Sequence, residues 1–205
     1  MKKTILKAIL IFLGVGLVLL MGFIIFIFMA FPSSNEKDYS VTDLVTNFNN
    51  KKQEIYELKR YFREIVPQNR VVEIEFKDNN TLSRFGFQST DEHFIPIFLE
   101  WDLKIDAFRT DSIIRTLGWT RETLKTLKEK LDNADCIQIE SGEPTKIGFK
   151  RFLMGMYFFN VFDEPIPDSL RSHYNDSCMY IYANNKLVLE FQGGTIGNQC
   201  FYNMK

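Results

Sequence analysis

The feature that most constrains this chain is an uncharged run of 24 residues, Ala8 to Phe31, near the start of a 205-residue sequence. At 1.5 Å per residue a helix of that length rises about 36 Å, against roughly 30 Å of bilayer hydrocarbon, so it can span with modest tilt. A cleaved secretory signal would carry a shorter apolar region, about 7–15 residues, followed by a small-x-small cleavage site. Here the small residues Ala30, Ser33 and Ser34 flank the bulky Phe31 and Pro32. The run therefore reads as an uncleaved signal-anchor that contacts the lipid bilayer through residues 8–31. No Cys lies near its end, which argues against a lipid-modified N-terminus. Gly14, Gly16 and Gly22 make no small-xxx-small pair of the kind that brings membrane helices into close contact.

Lys2, Lys3 and Lys7 precede the run, whereas Glu36, Lys37 and Asp38 follow it. Basic flanks stay cytoplasmic, so the expected protein is single-pass. Its N-terminus lies in the cytoplasm and its C-terminal domain outside the cytoplasmic membrane, periplasmic or extracellular. The expected organisation is a cytoplasmic tip and anchor over 1–31, a polar linker over 32–40 and one exported domain over 41–205. That domain is large enough for one sizeable core and too small for two comfortable ones. Residues 32–205 hold all 26 acidic residues against 22 of the 25 Lys and Arg, a formal −4, which disfavours a nucleic-acid partner.

The domain opens with a helical pattern from Val41, capped by Ser40 or Thr42 and stopped by Pro67. Its apolar stripe is Val41, Leu44, Phe48, Ile55, Leu58, Phe62 and Ile65, and the helix is expected to loosen at Asn49 and Asn50. These positions also fit a heptad. Yet Lys51 takes a d-like position and Val45, Tyr61 and Val66 widen the stripe, so docking onto a sheet is expected rather than a coiled-coil dimer.

Val71 to Lys77 alternates, with Val72, Ile74 and Phe76 on one face and Glu73, Glu75 and Lys77 on the other. A turn at Asn79-Asn80 would set Ile74 opposite Phe85, Val72 opposite Phe87 and Glu75 opposite Arg84. A third strand is expected to turn Leu99, Trp101, Leu103 and Ile105 inward and Glu100, Asp102, Lys104 and Asp106 outward. A short helix over Thr110–Leu117, stopped by Gly118, leads to a clearer one capped by Thr120 and carrying Leu124, Leu127 and Leu131, after which no further helix is expected. Strands follow at Cys136–Glu140, Ile147–Phe152, Met156–Phe162, Cys178–Ala183, Lys186–Phe191 and Ile196–Tyr202. The apolar run Met154–Phe162 reads as a central strand covered on both sides. The fold class is α+β, an N-terminal transmembrane helix followed by a mainly antiparallel sheet with two or three helices.

Chemistry-bearing patterns are few. His93 and His173 belong to no metal-ligand motif, and no nucleophile elbow or phosphate-binding glycine loop occurs. No catalytic residue, cofactor or metal is assigned. Glu100, Asp102 and Asp106 form the candidate polar interaction face, since residues two apart on a strand can share one cation or one glycosidic substrate. The functional expectation is a membrane-anchored, non-enzymatic binding or interaction module with an envelope protein as candidate partner and a monomeric exported domain. The alternatives are an envelope hydrolase using strand carboxylates, or an immunity or inhibitor-type protein. Three cysteines, Cys136, Cys178 and Cys200, lie in a compartment that permits disulfides. The expected meander sets Cys178 and Cys200 too far apart to bridge.

Overall fold

The structure, a computed structural model, describes residues 14, 16, 17, 19–25, 37–90, 98–152, 155–192, 200 and 201. The chain forms two units, Met1–Glu36 and Lys37–Lys205. In the first, the described residues are helical, and Leu17, Leu19, Leu20, Met21, Phe23, Ile24 and Ile25 are all exposed. Among the described residues no helix is long and apolar enough to cross a membrane. The expected span over 8–31 falls largely outside the described residues.

The second unit is α+β. Residues 37–40, inside the expected linker, belong to it. The Tyr39 ring meets Phe149 and Tyr157 edge-on, and Tyr157 Oη donates to Asp38 at 2.7 Å. Ser40 then caps α1 (Val41–Asn50) in a reciprocal capping box with Asp43. The single expected helix is divided at Lys51, whose φ of −114° and ψ of 18° separate α1 from α2 (Lys52–Ile65). The break is beside the Asn49-Asn50 pair that weakens the pattern. Leu44, Phe48, Ile55, Leu58 and Phe62 are all buried by docking on the sheet, as the broad stripe predicts.

The eight strands are β1 (Arg70–Asp78), β2 (Thr81–Ser89), β3 (Phe98–Lys104), β4 (Gln138–Glu140), β5 (Thr145–Phe152), β6 (Gly155–Val161), β7 (Tyr180–Asn184) and β8 (Leu187–Gln192). They form one sheet in the order β3-β2-β1-β4-β5-β6-β8-β7, with every neighbouring pair antiparallel. The first hairpin has the register its turn predicts, Val72 opposite Phe87, Ile74 opposite Phe85 and Glu75 opposite Arg84. Strand β6 is buried along its whole length, as its apolar run predicts.

Helices α3 (Phe108–Arg115) and α4 (Arg121–Asn133) join α1 and α2 in the core cluster formed with one face of the sheet. Gly118, at φ +72°, turns the chain between them. Trp119 follows and is 3 % exposed; its indole N–H donates to the Ile65 carbonyl at 2.7 Å while its ring lies against Phe62 and Phe85. One side chain thus ties the end of α2, the α3–α4 junction and β2 together. A one-turn helix, α5 (Asp168–Arg171), was not expected, because its four residues are too few for a periodic pattern; with it and the divided first helix, the described residues of the domain hold five helices where two or three were expected.

Two further expectations are overturned. Leu99 and Trp101 do not face inward; they are 38 % and 55 % exposed, whereas Leu103 and Ile105 are buried. Alternation changes phase at Asp102, which takes a left-handed φ of +50°. Cys178 and Cys200 do form a disulfide, with Cα atoms 4.1 Å apart. The expected meander ran the C-terminal segment along β8, but β6 and β7 already occupy both edges of that strand. The chain returns instead beside the start of β7, where the Phe201 N–H donates to the Cys178 carbonyl at 3.0 Å. Most of the expected Ile196–Tyr202 strand lies outside the described residues.

Candidate functional site

Alternation along β1 turns Val72, Ile74 and Phe76 into the helix-covered core and leaves Glu73 and Glu75 on the opposite, open face. Near β7 that open face is closed by a small cluster of Phe162, Ile166 and Val188 with Tyr174, Tyr180 and Tyr182. Over the middle strands it forms a cleft of about 710 Å³, lined by side chains from β1 through β6 together with Gln192 of β8.

The walls of this cleft are charged and mutually engaged. Glu75, with its side chain only 3 % exposed, accepts two bonds from Arg151, from Nε at 2.8 Å and Nη2 at 2.6 Å. Such a fork fixes both planes. Glu73 takes Arg84 at 3.0 Å and accepts from Gln138 Nε2 at 2.6 Å. The register thus holds Arg84 opposite Glu75, but its guanidinium goes to the diagonal carboxylate, because Arg151 reaches Glu75 from β5. Lys146 donates to Glu190 at 2.7 Å and to Gln192 at 3.0 Å, with its Nζ 4.2 Å from the centre of the Phe158 ring. Behind it, Asn160 donates to the other Glu190 oxygen at 2.9 Å.

Glu140 stands directly opposite Glu73 across the β1–β4 pair. Burial pushes both carboxyls above the ordinary carboxylate range; the Arg84 charge opposes this at Glu73, and Lys146 then Arg84 oppose it at Glu140. Gly148 gives Gln138 and Met156 their room, since a Cβ there would lie 2.7 Å from Gln138 Cβ and 2.5 Å from Met156 Sδ. At the β3 end, Trp101 lines the cleft with the Arg84 guanidinium 5.2 Å from its ring.

The residues singled out from sequence lie elsewhere. Glu100 pairs with Arg109, Asp102 lies 3.5 Å from Lys77, and the Asp106 carbonyl accepts from Arg121 at 2.7 Å. The three go to three different basic partners, and none of them lines the cleft. His173 is exposed, its ring edge-on to Tyr174 and tilted against Tyr180, and His93 lies outside the described residues. Among the described residues no three His, Cys, Asp or Glu side chains are grouped to hold a metal ion. The cleft residues were legible only as the outward half of strands. Glu73 and Glu75 on β1 opposite Arg84 on β2 were the one available signal, because cross-strand charge pairing locates a face without saying what covers it.

A second polar cluster is structural. Lys59, 2 % exposed, donates to the Val161 carbonyl at 2.6 Å and lies 3.0 Å from Asp163 and 3.5 Å from Glu143. Burial alone would raise the Asp163 carboxyl, but the Lys59 bond and charge, with Arg63 beside them, hold it below its usual value.

No family model matches this chain, and no curated protein or solved structure matches it either.

Proposed function

We propose that this chain is a single-pass membrane protein whose α+β domain stands outside the cytoplasmic membrane and binds its partner through the open-face cleft. The observation that carries the binding role is the lattice itself. Glu73 with Arg84 and Gln138, Glu75 with Arg151, and Lys146 with Glu190 and Gln192 hold one another in fixed positions around an accessible cavity. Side chains already ordered lose little freedom when a ligand arrives, so such a surface is preorganised for recognition. The location is supported by the 24-residue apolar run behind three lysines and by the Cys178–Cys200 disulfide, a bond that persists in oxidising compartments.

Two measurements test this reading. Thiols alkylated in intact cells should leave Cys178 and Cys200 crosslinked and Cys136 as a free thiol; all three recovered reduced would overturn the location. A photo-crosslinking residue at position 101 in native membranes should give discrete adducts that one at exposed Phe108 does not. Adducts from position 108 alone would overturn the assignment of the cleft. One observation favours a second reading, a glycan hydrolase using Glu73 and Glu140, because the two stand opposite each other with raised pKa values. That reading requires release of new reducing ends that Glu140→Gln abolishes.

A further inference from the structure

The chemistry of the cleft lining narrows what it can bind. Three carboxylates, Glu73, Glu75 and Glu140, face three cations, Arg84, Lys146 and Arg151. Glu190 lies outside that balance, yet it is 5 % exposed and taken up by Lys146 and Asn160. An anionic ligand would find each cation already committed to a carboxylate and would have to break an existing pair. A cationic ligand would find Glu140 alone without an ion pair among the described lining residues, one acceptor against three cations in the same lining. An aliphatic ligand would cover charged groups and offer them no hydrogen bonds.

What the lining does offer is alternating donors and acceptors along one wall, with an aromatic ring at the end. Trp101 is 55 % exposed, with Arg84 beside its ring. A large aromatic surface beside planar polar groups complements a molecule that carries hydroxyls around its edge and C–H bonds on its face. We infer that the open-face cleft is a binding site for a neutral oligosaccharide, one sugar ring of which stacks on Trp101 while Glu140, Gln138, Lys146 and Gln192 hydrogen-bond to hydroxyls further along. The inference rests on the reading of the cleft as the binding surface and adds the ligand class.

The test uses the full chain in a detergent without a sugar headgroup. Chitotetraose, cellotetraose and maltotetraose serve as neutral probes, tetraglucosamine as the cationic probe and tetragalacturonate as the anionic one. The chain has two tryptophans, and Trp119 is 3 % exposed, so a change in intrinsic fluorescence on titration reports on Trp101. Calorimetric titration supplies affinities for variants that lack the reporter. At least one neutral tetramer should bind ten-fold or more tighter than both charged ones. Trp101→Ala should weaken it at least ten-fold, about 1.4 kcal/mol, and Trp101→Phe by no more than about three-fold. Because Trp101 is exposed, Trp101→Ala should melt within a few degrees of the wild type, so its loss of binding is not a loss of folding.

Failure of all three neutral tetramers to bind overturns the inference, as does neutral binding that Trp101→Ala leaves unchanged. A charged tetramer that binds best and is lost in Trp101→Ala overturns the ligand class and leaves the cleft as the binding surface. If no tetramer binds and position 101 gives no adducts in native membranes, the binding reading fails with the inference.

Discussion

On the helix side of the sheet, Ile74, Phe85, Ile139, Ile147 and Phe159 are at most 1 % exposed and belong to one apolar cluster. One residue along the same strands, on the other side, Glu73, Glu75, Arg84, Gln138 and Lys146 belong to a lattice of ion pairs and hydrogen bonds. Burial of apolar area stabilises at roughly 25 cal/mol per Å² whatever the identity of the partner. A buried ion pair roughly breaks even against its own desolvation, although removing one member alone is costly. The difference teaches that the first face accounts for the fold, while the second needs another explanation, for which recognition is the one proposed.

The comparison predicts a ranked set of effects on the full chain. The largest belongs to the apolar face. Phe62→Ala removes a side chain 1 % exposed between α2 and Trp119, and should cost about 3–5 kcal/mol, lowering the melting temperature by roughly 10 °C while the wild type sediments as a monomer. A wild-type dimer that the substitution converts into an equally stable monomer would establish a coiled-coil stalk instead. Next is Arg151→Met, which strands the Glu75 carboxylate in its buried position and should cost about 3 kcal/mol in denaturant unfolding. A change under about 0.5 kcal/mol, the size typical of exposed pairs, would show that the pair is effectively at the surface.

Cys178→Ser opens a crosslink spanning 22 residues and should lower stability by about 2–3 kcal/mol in denaturant unfolding, without shifting ligand affinity, because neither cysteine lines the cleft.

The smallest effect concerns pH. The Glu140 carboxyl is raised above its ordinary 4.5 by burial, so the folded state keeps a proton that the unfolded state has released, and stability falls as pH rises from about 4.5 through the folded value. Glu140→Gln stays neutral throughout. Thermal melts across pH should show a higher melting temperature than wild type near pH 7, with the gap closing toward pH 4. An equal gap at both ends would remove Glu140 from the account.

The apolar face was legible in the sequence to the level of register. Strict alternation over Val71–Lys77 and one Asn-Asn turn fixed three cross-strand pairs, and Thr120 with Leu124, Leu127 and Leu131 fixed α4. The open face was legible only as a polar half of strands. Period-two patterning distinguishes in from out, but it does not reveal that β8 would insert between β6 and β7, or that Arg151 would cross to Glu75 past the short β4. The third strand misled for a local reason. Trp101 read as core until Asp102 adopted a left-handed φ, and an aspartate is one of the few residues that tolerates one.

The most direct test of the division between the two faces is the double substitution Glu75→Leu with Arg151→Met, measured for both stability and capture at position 101. An apolar replacement of both partners removes the stranded charge, so the melting temperature should return to within a few degrees of wild type, well above that of Arg151→Met alone. Crosslinked adducts at position 101 should be lost. A double variant that melts as low as the single one, or that keeps wild-type capture, would contradict the claim that the charged face is built for recognition.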